Sequence, residues 1–145
     1  MKRFGWFAVL GPLLFGSAAN AAPTPMAILV ENATEDLKTC GVETVDAMNA
    51  VKASLRYNRV QIIEMNYNTP FVYVTFTGGP IEGACVVWVE VRFQTIEMVQ
   101  FGDSQFAGRA VVCSEGTLLK GNQMRTRVAD EIKRYIDTCM SKVDA

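Results

Sequence analysis

The chain has 145 residues and a formal net charge of −1, with 14 Lys and Arg against 15 Asp and Glu, and it contains no His. The near-neutral charge argues against a nucleic-acid-binding protein, which needs clustered Lys and Arg to displace counterions from phosphate. The absence of His removes the usual general base and the commonest metal ligand, while 50% hydrophobic and 20% charged residues are typical of a folded domain.

The first 21 residues have the pattern of a secretory signal peptide. Lys2 and Arg3 precede an uncharged, mostly apolar run at residues 4–16, which is shorter than the ~20 residues of a membrane-spanning helix. Small residues at 19–21 fit a signal-peptidase site, so we expect cleavage after Ala21, with an uncleaved anchor as the alternative. Residues 22–145 then form a single exported domain, periplasmic or secreted, and no later stretch is apolar for long enough to cross a membrane.

Residues 32–57 are predicted to form the first helix, because their apolar residues recur at steps of three and four. Asn32 with Glu35 fits a capping box at its start. Gly41 costs about 1 kcal/mol inside a helix and weakens the prediction for the first turns. The apolar stripe consists of Leu37, Cys40, Thr44, Met48, Val51 and Leu55.

The middle of the chain is predicted to form four strands, at residues 59–67, 71–77, 84–99 and 108–114. The turn residues at 68–70 predict that the first two strands form a hairpin. The third strand alternates clearly until residues 95–98, where we expect a bulge or bend. Residues 101–106 are typical of a turn, and residues 122–142 have the helical period and are predicted to form the second helix.

The order helix, four strands, helix indicates an α+β domain, with a four-stranded antiparallel sheet and both helices packed on one face. Matching the apolar sets of neighbouring strands pairs Val72 with Val89, which fixes the register of the second and third strands. The face beneath the helices then carries Ile62, Val72, Val74, Phe76, Cys85, Val87, Val89 and Val91.

The opposite face of this sheet is too aromatic for a surface exposed to water. In the chosen register Tyr73 lies directly opposite Trp88, with Glu90 and Arg92 beside them. Aromatic residues, Met and Arg are enriched at protein interfaces. We therefore expect a partner-binding surface made by Met65, Tyr67, Phe71, Tyr73, Trp88 and Arg92. The alternatives are that residues 26–30 cover this face, or that the register differs.

The cysteines Cys40, Cys85, Cys113 and Cys139 all follow the predicted cleavage site. An even count in a small exported domain indicates two disulfides, and the wide spacings without His do not resemble a metal site. If the two helices pack antiparallel, Cys40 becomes a neighbour of Cys139, and Cys85 and Cys113 lie on strands that could be adjacent. We expect these two pairs, with the other two connectivities left open.

Three basic residues, Lys120, Arg125 and Arg127, surround the start of the last helix. Positive charge is unfavourable at a helix N-terminus unless an anion or carboxylates lie there. An anion site is one interpretation, and the others are a solvated basic turn or pairing with Glu115 or Asp130.

The sequence contains no phosphate-binding loop, nucleophile elbow or metal signature, so we expect a protein that is not an enzyme and needs no cofactor. The function that fits best is binding another envelope or exported protein, as an inhibitor, an immunity-type protein or an accessory subunit. The loops at residues 77–83 and 101–106, with Asp103 in the second, are further candidates for the contact.

Three alternatives remain open. A small-molecule or lipid carrier would need a cavity between sheet and helices, lined by residues such as Met48, Phe76, Val87 and Ile132. A hydrolase would need a cleft with convergent polar groups, which the sequence does not indicate. A homo-oligomer could use the aromatic face, because such a face could be self-complementary.

Overall fold

A computed structural model describes residues 22–143, so the predicted signal peptide at residues 1–21 lies outside the described residues. Within that range the chain forms an α+β domain with three helices and one four-stranded sheet of order β1-β2-β3-β4. The elements are β1 (Ala27–Val30), α1 (Glu35–Thr39), α2 (Thr44–Tyr57), β2 (Phe71–Ile81), β3 (Ala84–Phe101), β4 (Ser104–Gly121) and α3 (Met124–Val143). None of these three helices is long and apolar enough to cross a membrane.

The sheet is mixed, not fully antiparallel as predicted. β1 pairs parallel to β2, from Ala27 opposite Phe71 onward, and occupies the edge position that we predicted for residues 59–67. That predicted strand is wrong, since only Ile62 makes a bridge, to Met26. Both segments are short and apolar, and local pattern cannot decide which of them pairs with β2.

The first predicted helix is divided in two at Gly41, which has a φ of 79°. The Gly41 N–H donates to the Lys38 carbonyl and the Val42 N–H to the Leu37 carbonyl, which closes α1 in a Schellman motif. Thr34, not Asn32, caps α1, because its hydroxyl accepts from the Leu37 N–H. The predicted capping box is therefore wrong, whereas α3 agrees with its predicted span within two residues.

The register between β2 and β3 differs from the prediction by four residues. Val72 lies opposite Phe93 instead of Val89, and Tyr73 lies opposite Arg92 instead of Trp88. The cause is that β2 continues through Gly78 and Gly79 to Ile81, so the turn comes later than predicted. An even shift leaves every side chain on its predicted face.

The hydrophobic core therefore lies where the sequence indicated, between one face of the sheet and the helices. Apolar side chains of β2 and β3 meet those of α2 and α3 in one buried cluster, which includes Val72, Val74, Phe76, Val87, Val89, Val91, Val51, Leu55, Ile132 and Ile136. α1 packs on β2 so closely that a Cβ at Gly79 would lie 2.9 Å from the Asp36 Cβ.

All four cysteines form disulfides, as predicted, but the predicted pairing is wrong. The bridges are Cys40–Cys85 and Cys113–Cys139. Because the chain turns at Gly41, Cys40 comes next to the start of β3 and not next to the end of α3. Cys113 instead joins β4 to Cys139 in the last turns of α3.

Candidate functional site

The hairpin of β3 and β4 extends well beyond the rest of the sheet. The pairing of β3 with β2 extends only to Gln94, which lies opposite Phe71. β3 and β4 stay paired beyond that point, from Thr95 opposite Ala110 to Phe101 opposite Ser104. We call residues 95–112 the β-ribbon. Its tip is a tight turn at Gly102 and Asp103, where Gly102 has a φ of 60°. The turn predicted at residues 101–106 is correct in position but shorter, because Phe101 belongs to β3 and residues 104–106 belong to β4.

A β-bulge marks the base of the β-ribbon. Phe93 lies opposite Cys113, but Gln94 lies opposite Val111, so Val112 has no partner in β3. We predicted an irregularity at residues 95–98, and the structure places it slightly earlier. The last regular pair before the bulge carries Cys113, whose disulfide fixes it to α3.

The β-ribbon carries exposed large apolar side chains. Phe101 is 80% and Met98 is 63% exposed. Val99 and Phe106 lie directly opposite each other, and Phe101, two positions from Val99, shares their face. Met98 lies on the opposite face, and the other large exposed apolar residues of the β-ribbon are Val111 and Val112. Exposed apolar surface such as that of Val99, Phe101 and Phe106 is typical of interaction sites.

Met65 and Tyr67, two of the predicted partner residues, lie beside the base of the β-ribbon. Together with Asn66 they form an open depression of about 250 Å³ against Ile96. The Asn66 side chain accepts from the Asn68 N–H and its backbone N–H donates to Thr69, which shapes this loop. Tyr67 is 86% exposed. This loop adjoins the face of the β-ribbon that carries Ile96 and Met98, opposite to the face of Val99, Phe101 and Phe106.

Phe71, in contrast, is only 2% exposed although it lies on the outer face of the sheet. The Arg109 guanidinium lies 5.9 Å from the centre of its ring. Phe71 therefore packs beneath the base of the β-ribbon and is not accessible to a partner in this structure.

Tyr73 and Arg92 belong to a polar network across the middle of the outer face. The Tyr73 hydroxyl donates to Glu31, and Arg92 donates to both carboxylate oxygens of Glu90 at 2.7 and 2.6 Å. Ser114 donates to Glu90 at 2.8 Å. The hydrogen bonds from Arg92 lower the pKa of Glu90, the hydrogen bond from Ser114 lowers it further, and partial burial opposes both effects. These groups satisfy one another within the chain.

Trp88 lies opposite Thr77 on one side and Leu118 on the other, and it is 39% exposed. Its indole covers Gly116, where a Cβ would meet the ring at 2.8 Å. Trp88 thus remains accessible, but it lies four positions before Arg92 along β3 and does not face Tyr73.

Replacing Gly116 by Ala is expected to push the Trp88 indole into solvent and to destabilise the protein by about 1 kcal/mol. In a chain expressed from Ala22, Trp88 is the only tryptophan, so its fluorescence emission should move to longer wavelength. Gly108→Ala is the matched control, because its Cβ meets Val99 and not Trp88. Unchanged emission in Gly116→Ala would contradict this placement of the indole.

Two of the three basic residues near the start of α3 have partners within the chain. Arg125 forms an ion pair with Asp46 at 2.7 Å, and Arg127 donates to the backbone carbonyl of Lys120 at 2.7 Å. The predicted alternative partners are engaged elsewhere, Glu115 with Lys142 and Asp130 with Lys133. The anion site remains a prediction.

Three of the four residues named for a carrier cavity, Phe76, Val87 and Ile132, belong to the buried hydrophobic cluster, and Met48 is partly exposed. Open depressions lie on the outside of the domain, one between α2 and α3 around Asp46 and Arg125, and another at Met65. Among residues 22–143, no group of three or more Cys, Asp or Glu could hold a metal ion.

Comparisons with known proteins give only distant similarities. No family model matches this sequence, and no curated protein matches it. Among solved structures, the chain is similar to the rare lipoprotein B from Shewanella oneidensis, with 12% identity over 81% of this chain and 92% of that one and a TM-score of 0.32. It is also similar to a minor lipoprotein from Acinetobacter baumannii, with 12% identity over 81% and 88% and a TM-score of 0.28. Similarity at these TM-scores establishes neither a shared fold nor a shared function.

Proposed function

We propose that this is an exported protein that acts by binding another protein of the cell envelope or the surrounding medium. The observation that carries the proposal is the β-ribbon, which holds Phe101, Phe106 and Met98 away from the core and exposed. Burial of such side chains in a partner is a strong source of binding free energy. A partner that contacts both faces of the β-ribbon also reaches Met65 and Tyr67, which lie beside Ile96 on the face opposite Phe101 and Phe106.

Export is supported by two independent features of the chain. Residues 1–21 combine a basic start, an apolar run and small residues at the expected cleavage site. The two disulfides are the kind of bond that forms and persists in oxidising compartments. The partner is therefore expected in the same compartment, which is the periplasm if the organism is bacterial.

A binding role also accounts better for the polar groups than catalysis does. Arg92 and Ser114 both donate to Glu90 on an open sheet face, and Glu31 accepts from Tyr73 and Thr75. We therefore propose a protein without catalytic activity, of the inhibitor, immunity or accessory type. An arm that projects from a disulfide-bonded body suits insertion into a cleft or across a partner surface.

Replacing Phe101 and Phe106 by Ser is expected to reduce partner capture at least about tenfold, because each exposed aromatic contributes on the order of 1 kcal/mol or more to such an interface. Capture from an envelope extract of the source organism, followed by quantitative mass spectrometry, measures the effect. Val45→Ser/Tyr57→Ser is the matched control, since both residues are equally exposed but lie on α2.

Equal capture by both double variants would contradict the assignment of the β-ribbon and would favour the exposed Trp88 region as the contact. Size measured across a concentration range identifies self-association, in which a second copy is the partner. In that case, the Phe101→Ser/Phe106→Ser variant should remain monomeric where the unsubstituted chain does not.

A further inference from the structure

We propose that the β-ribbon opens and closes as a separate unit while the rest of the domain stays folded, and that the Cys113–Cys139 disulfide sets the boundary of this opening. The proposal concerns the free protein and does not depend on the proposed function. Only the use of this opening in partner binding rests on the proposed function.

The first argument is the number of strands. Body residues of β3 are flanked by β2 and β4, but from Thr95 to Phe101 only β4 remains beside β3. An isolated two-stranded hairpin is marginally stable in water, because it buries little apolar surface for the chain entropy that it loses.

The second argument is the absence of core packing. None of residues 95–112 is buried, and none belongs to the hydrophobic cluster, which ends at Phe93 on β3 and begins again at Cys113 on β4. Near the base of the β-ribbon, Ile96 and Met65 line one open depression, and the Arg109 guanidinium lies over the Phe71 ring. Regions with few buried contacts open at lower free energy than the core.

The third argument is the sharp boundary. The pair Phe93–Cys113 is buried, and Cys139, the disulfide partner of Cys113, is fully buried in α3. The bulge at Val112 interrupts the ladder immediately beyond this pair. Unpairing of β3 and β4 that begins at Gly102 can therefore spread as far as the bulge. The disulfide holds β4 against α3 there, and this prevents unpairing from spreading further. A ribbon of this kind can adapt its strands to a partner and become ordered on binding.

Hydrogen–deuterium exchange of the oxidised protein, followed by mass spectrometry, tests the opening directly. Backbone amides at 95–111 are expected to exchange at least ~100-fold faster than those at 86–92 and 114–119. Exchange rates within about tenfold of each other across these segments would overturn the proposal, because the β-ribbon and body would then open together.

The boundary is tested by Cys113→Ser/Cys139→Ser, with Cys40→Ser/Cys85→Ser as the matched control. Fast exchange should spread into residues 114–119 in the first variant and not in the second. Fast exchange of residues 114–119 in both variants, or in neither, would show that the Cys113–Cys139 disulfide does not set the boundary of the opening.

A third variant keeps the proposal testable if the cysteine variants fail to fold. Gln100 and Gln105 lie directly opposite each other near the tip, a spacing that a disulfide can bridge. The oxidised Gln100→Cys/Gln105→Cys protein should exchange its β-ribbon amides at least about tenfold more slowly than the same protein with Ser at both positions. No slowing would contradict opening from the tip.

Discussion

Replacing Cys40 and Cys85 by Ser is expected to lower the free energy of unfolding by about 4 kcal/mol. The Cys40–Cys85 disulfide closes a loop of 45 residues, and the chain-entropy model gives roughly 4 kcal/mol for a loop of that length at 25 °C. The Cys113–Cys139 bridge spans 26 residues, so its removal should cost about 3.5 kcal/mol. Urea denaturation of the oxidised proteins measures both values.

The same disulfides provide a separate check on the fold. Proteolysis without reduction should yield one linked peptide pair that contains Cys40 and Cys85 and another that contains Cys113 and Cys139. Cys40 linked to Cys139 would contradict the break between α1 and α2, because that pairing requires Cys40 to lie beside the end of α3.

Replacing Phe71 by Ala is expected to lower the free energy of unfolding by about 3–5 kcal/mol, because the ring is buried beneath the base of the β-ribbon. Tyr67→Ala removes another ring from the predicted partner surface, but Tyr67 is exposed, so a change within about 0.5 kcal/mol is expected. Urea denaturation measures both changes in stability, from the shift of the midpoint of each variant at an unchanged m-value.

Equal effects of the two substitutions on stability would contradict this division between a structural and an exposed residue. The distinction matters for the interface, because only Tyr67→Ala should weaken partner capture without unfolding the protein. Phe71 was predicted as a partner residue from its strand face alone, and a face does not reveal which of its residues another segment covers.

The elements that could be predicted from sequence are those with strong local periodicity. The stripe of α3, including Ile132 and Ile136, and the alternation of Val87, Val89 and Val91 in β3 both agree with the structure. The inner face of the sheet was also correct, although the register was not, because a shift of four residues preserves the side on which each residue lies.

The errors arise where tertiary contacts decide between locally equivalent choices. The glycines at 78 and 79 are typical of a turn, yet they lie within β2, where Gly79 allows α1 to approach closely. The disulfide pairing depended on one helix that Gly41 divides into two. The edge position of β1 depended on a parallel pairing between segments more than 40 residues apart.

Only part of the candidate site could be predicted from the sequence. The loop at 101–106, which includes Phe101 and Phe106, and the exposed Tyr67 were selected, but Met98 and Val99 were not. A signal did exist, since apolar residues flank Gly102-Asp103 on both sides as expected for a continuous hairpin. What sequence could not show is the register that places Phe71, the first residue of β2, opposite Gln94, so that the hairpin beyond Gln94 has no third strand.

Site-specific photocrosslinking in the cells that produce the protein tests the central claim most directly. A photoreactive phenylalanine analogue would replace Phe101 or Phe106 in the β-ribbon, and Tyr57 on α2 would serve as an equally exposed aromatic control. We predict the same covalent adduct from both β-ribbon positions and none from position 57. No adduct from positions 101 and 106, or equal yields from all three positions, would contradict a partner-binding role of the β-ribbon.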